Sequence, residues 1–260
     1  MTSILTNASA MTALQTLNTT NKNLATTQDR IATGQRVSTA SDNAAYWSIA
    51  TGMRTQNSAL SAVKDGLGLG ASIVDTAYTA LTSAIDLASK IQAKYVAKET
   101  PGTDATIIDA DIAQMKGQID EMAKGATFQG VNLLKTGATA QNIVTGYTSG
   151  TGVTTMSVSA YVLEGALTAA TTSSAVETAI TAMKAAAAGL GSAKTRIDTQ
   201  QTFTGNLMDA IDRGVGQLVD ADMNAESARL SALQVQQQLG IQALSIANSS
   251  NQSILSLFRG

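Results

Sequence analysis

The sequence predicts a mainly α-helical protein, with long coiled-coil helices from both termini and a small β-hairpin region in the middle. Three observations lead to this. Apolar residues recur at alternating spacings of three and four along most of the chain. The apolar mass is Ala, Leu, Ile, Val and Met, with aromatics at only 3%, which suits helix-on-helix packing. Pro101 is the single proline, so long stretches are free to be helical.

The first element is a helix over 1–33, and the last is a helix over 220–260. In the first, the heptad spacing selects Leu14, Leu17, Asn21, Leu24, Gln28 and Ile31. In the last it selects Leu230, Leu233, Gln237, Gly240, Leu244, Ala247, Asn251, Ile254 and Phe258. Each seam is apolar with interspersed polar residues, and the two read as partners. Residues 1–28 hold one charged residue, Lys22, and residues 230–260 hold one, Arg259. An exposed helix normally displays a charged face. Val235, Leu239, Ile241, Ile246, Leu255 and Leu257 also lie off the seam. A fully buried Leu or Ile contributes roughly 1.5–3 kcal/mol, and one partner helix in the same chain cannot cover them all. The pattern implies burial between subunits.

Residues 34–43 interrupt the helical pattern within RIATGQRVSTASDNAAYWSIA. Gly34 is a helix stop, and Ser41 or Asp42 can cap the helix that follows. Tyr46 and Trp47 open that helix and are expected to anchor it against the returning chain near 208–220. Gly34, Asp42, Tyr46 and Trp47 together form a joint.

The middle region, 44–219, carries ordinary charge. Tyr46, Ile49, Met53, Gln56, Leu60, Val63, Leu67 and Gly70 begin a heptad strip that continues unbroken to Tyr95. Such a helix is roughly 75 Å long. It ends near Thr100-Pro101-Gly102. A second strip runs from Ile108 to Met122, and a third from Val176 to Leu218, weaker around Lys194 and Gln201. Between them a hairpin is expected near 140–165. Ile143, Thr145 and Tyr147 alternate, Ser149-Gly150-Thr151-Gly152 turns, and Val158, Ala160 and Val162 alternate again.

Composition excludes several classes of function. The net charge is -2 with scattered basic residues, so there is no basic patch for nucleic acid. Without cysteine there is no thiolate chemistry, and without histidine the commonest general base and metal ligand are missing. Gly66-Leu67-Gly68-Leu69-Gly70 lacks the preceding strand and the Lys-Ser/Thr of a phosphate loop, so it reads as close helix packing or local flexibility. Asp220–Glu226 starts like a calcium loop, but Ala225 stands where Gly is required and Ser231 where Glu is required. Helix capping by Asp222 accounts for it better. Asn7-Ala8-Ser9 matches a glycosylation pattern on a segment expected to be buried, and reads as chance. No secretory signal or membrane span is visible. Nothing proposes catalysis, a cofactor or a metal.

Three blocks, in order, carry a resemblance to a known family. They are SILTNASAMTALQTL with RIATGQRVSTASDNAAYWSIATGM; ATFQGVNLL at 126–134, with Phe128, Gly130 and Asn132; and LGSAKTRID followed by VDADMNAESARLSALQVQQQLGIQALSIANSSNQSILSLF. The chain resembles bacterial flagellin, and the Tyr46-Trp47 form of the first block is similar to flagellins of alphaproteobacteria. The large outer domains of many flagellins are missing. The resemblance implies a filament subunit acting in swimming motility, exported unfolded and self-assembling, with both termini in an inner coiled-coil layer. Implied partners are other flagellins, the filament cap protein, hook–filament junction proteins, an export chaperone and the type III export apparatus. The implied location is the extracellular filament, without membrane insertion. The alternative is a hook–filament junction protein of the same fold family.

Overall fold

The computed structural model describes residues 7–148 and 150–257, with side chains described through Ser249. The elements are α1 (Ala8–Thr33), α2 (Ala44–Lys98), α3 (Ala105–Gly125), β1 (Gln141–Thr148), β2 (Gly152–Val158), α4 (Ser173–Val219) and α5 (Met223–Leu257). Two compact units result: one takes residues 1–54 and 212–260, the other Thr55–Ile211. The division falls inside α2 and α4, so the first turns of α2 lie in the unit that holds the terminal helices.

In the middle unit, α2 buries Leu60, Val63, Leu67, Val74, Ala77, Leu81, Ala84, Ala88, Ile91 and Tyr95. These are the heptad positions read from the sequence. Ile112, Ile119 and Ala123 of α3 join the same core, as do Val176, Ile180, Met183, Leu190 and Ile197 of α4. Helix α2 gives way to a turn at Thr100–Gly102, where Gly102 takes φ 96°. Asp104 then caps α3 by accepting from the Thr106 N–H at 2.9 Å. Lys94–Asp111 (2.7 Å) and Lys98–Asp109 (2.6 Å) tie α3 to α2. Lys194, a weak position in the apolar strip, pairs with Asp75 at 2.5 Å. Such exposed pairs add little, being solvated and screened. The apolar seam supplies the larger share.

The hairpin pairs Gln141 with Val158 at one end and Thr148 with Gly152 at the other. Its register shifts between Val144 and Gly146, so Thr145 is an extra residue and the simple alternation expected over 143–147 is broken there. The bulged Thr145 carbonyl accepts from Gln200 Nε2 of α4 at 2.7 Å. Ile143, Met156 and Val158 are buried against the helices. Strand β2 ends at Val158, short of the expected alternation through Val162, which is exposed while Leu163 is buried. The glycine run packs closely: a Cβ on Gly70 would lie 2.5 Å from Ile143 Cγ2.

Candidate functional site

The terminal helices form an antiparallel pair. Asn7 Nδ2 donates to the Ala247 carbonyl (2.9 Å), Gln237 Nε2 to Asn21 Oδ1 (2.9 Å), and Arg30 Nη1 to Glu226 Oε1 (3.2 Å). Asn7 also caps α1, its Oδ1 accepting from the Ala10 N–H at 3.0 Å. The residue set aside as a chance glycosylation match therefore fixes both the start of α1 and its register on α5.

On α5 the packed stripe follows the expected spacing: Leu230, Gln237, Gly240 and Leu244 are half-buried and Leu233 is buried. Phe258 lies outside the described residues, as do the side chains of Asn251 and Ile254. On α1 half the expected stripe is displaced by one residue. Leu17, Leu24 and Ile31 are half-buried, but Leu14, Asn21 and Gln28 are exposed, and Thr20 and Thr27 are buried in their stead. A three-four repeat through Leu17, Leu24 and Ile31 can take its second position from either flank; Thr20 and Thr27 fill it within the pair, while Asn21 meets Gln237 at its edge. Thr20 Oγ1 satisfies its hydroxyl within its own helix by donating to the Thr16 carbonyl at 2.9 Å.

Contact with each other leaves much of both helices uncovered. Met11 and Leu14 on α1 are 64% and 49% exposed; Val235, Leu239, Ile241 and Ile246 on α5 are 55%, 57%, 54% and 69% exposed. The off-seam aliphatic residues thus form an uncovered apolar surface on a charge-poor pair of helices.

The joint is built by hydrogen bonds. Gly34 ends α1 in the left-handed conformation (φ 70°). Its carbonyl accepts from the Ala221 N–H at 2.9 Å, and Arg36 N–H donates to the Val219 carbonyl at 2.6 Å. Asp42 is not the cap of α2. Its Oδ2 accepts from the backbone N–H and hydroxyl of both Ser38 and Thr39 at 2.9–3.3 Å, which closes the loop. These bonds, the Thr39 N–H foremost, hold its carboxyl below the usual carboxylate range. Asn43 caps instead, accepting from the Tyr46 N–H at 3.1 Å. Tyr46 and Trp47 are 41% and 38% exposed, not buried anchors. The packed face here is Ala50, 1% exposed, with Met53, whose methyl lies 2.7 Å from where a Cβ on Gly214 would stand.

The third group expected from the sequence, Phe128, Gly130 and Asn132, forms a tight turn and an anchor. Phe128 and Val131 exchange backbone hydrogen bonds of 2.9 Å, and Gln129 and Gly130 both take positive φ, 49° and 80°. That is a primed turn, which Gly130 makes accessible. Asn132 is buried; its Nδ2 donates to the Ala123 and Lys124 carbonyls (2.8 and 3.2 Å), and its Oδ1 accepts from the Leu134 and Lys135 N–H groups (2.7 and 3.1 Å). It closes the end of α3 and presents Leu133 and Leu134 to the core. Its work is structural. Among the described residues no group of three or more His, Cys, Asp or Glu is placed to hold a metal ion.

Two family models match the chain: the bacterial flagellin N-terminal helical region over residues 4–139, and the bacterial flagellin C-terminal helical region over 173–258. The chain belongs to the bacterial flagellins. It is 50% identical to a flagellin of Brucella melitensis, with all of both chains covered. It is 43% identical to flagellin C of Rhizobium meliloti, again over all of both chains. With the flagellin FljK of Caulobacter vibrioides the identity is 40%, over 100% of this chain and 99% of the relative. As a flagellin the chain is a structural subunit of the flagellar filament, a self-polymerising component of the motility apparatus. The junction-protein alternative is not favoured. Among the described residues, no helix is long and apolar enough to cross a membrane.

Proposed function

We propose that this flagellin is exported unfolded and polymerises outside the cell through the uncovered apolar faces of α1 and α5. The observation that supports this is the pairing of α1 with α5, which leaves Val235, Leu239, Ile241 and Ile246 all more than half exposed on a helix short of charge. A helix with apolar residues on several sides is covered when it meets several neighbours, as in a tube of like subunits. Residues on the contact stripe, among them Leu17, Leu24, Leu233 and Leu244, then set the pairing within each copy, while the off-stripe residues meet other copies.

The absence of cysteine suits passage of an unfolded chain through a narrow type III export apparatus, since no disulfide can trap it. An export chaperone that covers the apolar terminal helices, a cap protein at the growing end and junction proteins at the hook complete the partner set, with other flagellins as copolymerising subunits.

Ile246→Glu combined with Leu239→Glu tests the reading in seeded polymerisation followed by electron microscopy. The wild type is expected to form filaments. The double variant is expected to remain monomeric with unchanged middle-unit helix content by circular dichroism. Normal filaments from the variant would remove α5's outer face from the subunit contact.

A further inference from the structure

The stripe by which α5 meets α1 carries a charge. It runs from Glu226 through Leu230, Leu233, Gln237 and Gly240 to Ala247, alternating four and three apart, and each of these residues is buried or half-buried. Glu226 is 8% exposed. Its Oε1 accepts from Arg30 Nη1 of α1 at 3.2 Å, and its Oε2 has no hydrogen-bond partner among the described residues. The facing stripe on α1, through Leu17, Thr20, Leu24, Thr27 and Ile31, has the same alternation. Two stripes of one period match again when one helix slides past the other by a heptad, roughly 10 Å along the axis. Hydropathy alone therefore leaves more than one antiparallel register open.

We infer that the Arg30–Glu226 pair is the register lock of α1 on α5: it admits one alignment of the two helices and penalises the alignments a heptad away. Sliding in one direction carries Glu226 from Arg30 to the level of Asn23. Sliding in the other sets Arg30 beside Leu233. Either slide separates the pair, and a buried charge left unpaired is strongly destabilising, whereas one apolar seam residue replaces another with little change. The other contacts between these segments discriminate less. The Asn21–Gln237 bond is exposed, and either amide can turn to water instead. At the joint, Gly34 and Arg36 are held through the backbone groups of Ala221 and Val219, which are of a kind that almost every residue carries. A well-packed apolar pair at these positions would stabilise the helices as much or more, so the charges are better explained by alignment than by stability. The lock acts within one chain, and it does not depend on which faces meet other copies.

The chain has no cysteine, so an introduced pair reports the register. A Cβ on Gly240 would stand 3.9 Å from Leu17 Cβ, within disulfide reach. Leu233 and Ala247 lie a heptad to either side of Gly240. Three full-length reporters, Leu17→Cys with Gly240→Cys, with Leu233→Cys or with Ala247→Cys, are oxidised in seeded polymerisation mixtures. Bonds within one chain are read as monomer bands on non-reducing gels and mapped by mass spectrometry. With Arg30 and Glu226 in place, the bond between positions 17 and 240 is expected to close and the two shifted bonds are not. Adding Glu226→Leu, which extends the apolar stripe, is expected to lower the 17-to-240 yield about threefold or more and to raise a shifted bond by a similar factor. The charge swap, Arg30→Glu with Glu226→Arg, is expected to restore the 17-to-240 bond. A 17-to-240 yield unchanged by Glu226→Leu would overturn the lock. So would a fall with no gain in either shifted bond, because that is what a merely stabilising contact predicts. If position 17 does not bond to 240 with Arg30 and Glu226 intact, the alignment itself is wrong and the lock with it.

Discussion

Ile143 of β1 occupies the space that a side chain on Gly70 of α2 would need: a Cβ there would lie 2.5, 2.8 and 3.0 Å from Ile143 Cγ2, Cδ1 and Cγ1. The hairpin docks by pushing a β-branched side chain, 5% exposed, against bare helix backbone. Gly70→Ala gains about 1 kcal/mol of helix propensity but meets a stiff, buried neighbour, and overpacking of this kind costs about 1–3 kcal/mol. A net loss of up to about 2 kcal/mol is expected in urea unfolding. Adding Ile143→Ala should make the two changes strongly non-additive, with Gly70→Ala becoming neutral or stabilising in that background.

Asn132 satisfies backbone groups on both sides of the ATFQGVNLL turn, including the buried Leu134 N–H and the Ala123 carbonyl. Asn132→Ala leaves these without partners. Each buried orphan costs about 1–3 kcal/mol, so a loss of about 3 kcal/mol is expected. Asn132→Asp keeps the acceptor and loses the donor, and should fall between wild type and Ala. Thermal unfolding of the three proteins orders them.

The heptad strip from Leu60 to Tyr95 was legible in the sequence because a long helix packed on one side repeats its apolar stripe many times, and every added turn strengthens the same phase. The α5 stripe from Leu230 to Leu244 was legible for the same reason. On α1, Leu17, Leu24 and Ile31 fit two stripes, and the sequence alone does not say that Thr20 and Thr27 are the residues buried within the pair. A hydroxyl that can bond to its own helix carries no hydropathy signal. The roles at the joint were also hidden. Asp42 and Asn43 are both good caps, and only the fold of 38–42 decides that one closes the loop and the other starts the helix. Tyr46 and Trp47 look like buried residues, but side-chain hydropathy alone does not say how much of a residue the fold covers.

The Ala170 carbonyl is held twice: the Tyr95 hydroxyl donates at 2.9 Å and Lys116 Nζ at 2.6 Å. Lys116 Nζ also lies 3.2 Å from the Tyr95 hydroxyl oxygen and 5.6 Å from the ring centroid. Either donor alone keeps the carbonyl satisfied. Tyr95→Phe and Lys116→Met should each cost about 1 kcal/mol, and the double variant should exceed their sum by about 1 kcal/mol or more, because only then is the acceptor orphaned. Additive losses in chemical denaturation would show that the two donors do not share this role.

Asp42 gives the joint a dependence on acid. Its carboxyl sits below the usual carboxylate range, chiefly through the Thr39 N–H and further through Ser38 and the two hydroxyls. A folded-state value below the unfolded one means that the carboxylate's contribution is present above the unfolded value, about 3.9. It is lost as pH falls through the lower folded value. The 38–42 loop should therefore hold at pH 5 and loosen only under stronger acid. Protection of the Ser38 and Thr39 amides against hydrogen exchange should fall there with a midpoint below that of an unperturbed aspartate. In Asp42→Asn the amide oxygen still accepts but no charge titrates, so the acid-dependent step at these two amides should vanish while the weaker loop persists across the range. An Asp42 carboxyl titrating at or above the ordinary aspartate value in the folded protein, followed by carbon NMR, would mean that the four hydrogen bonds do not favour its ionised form.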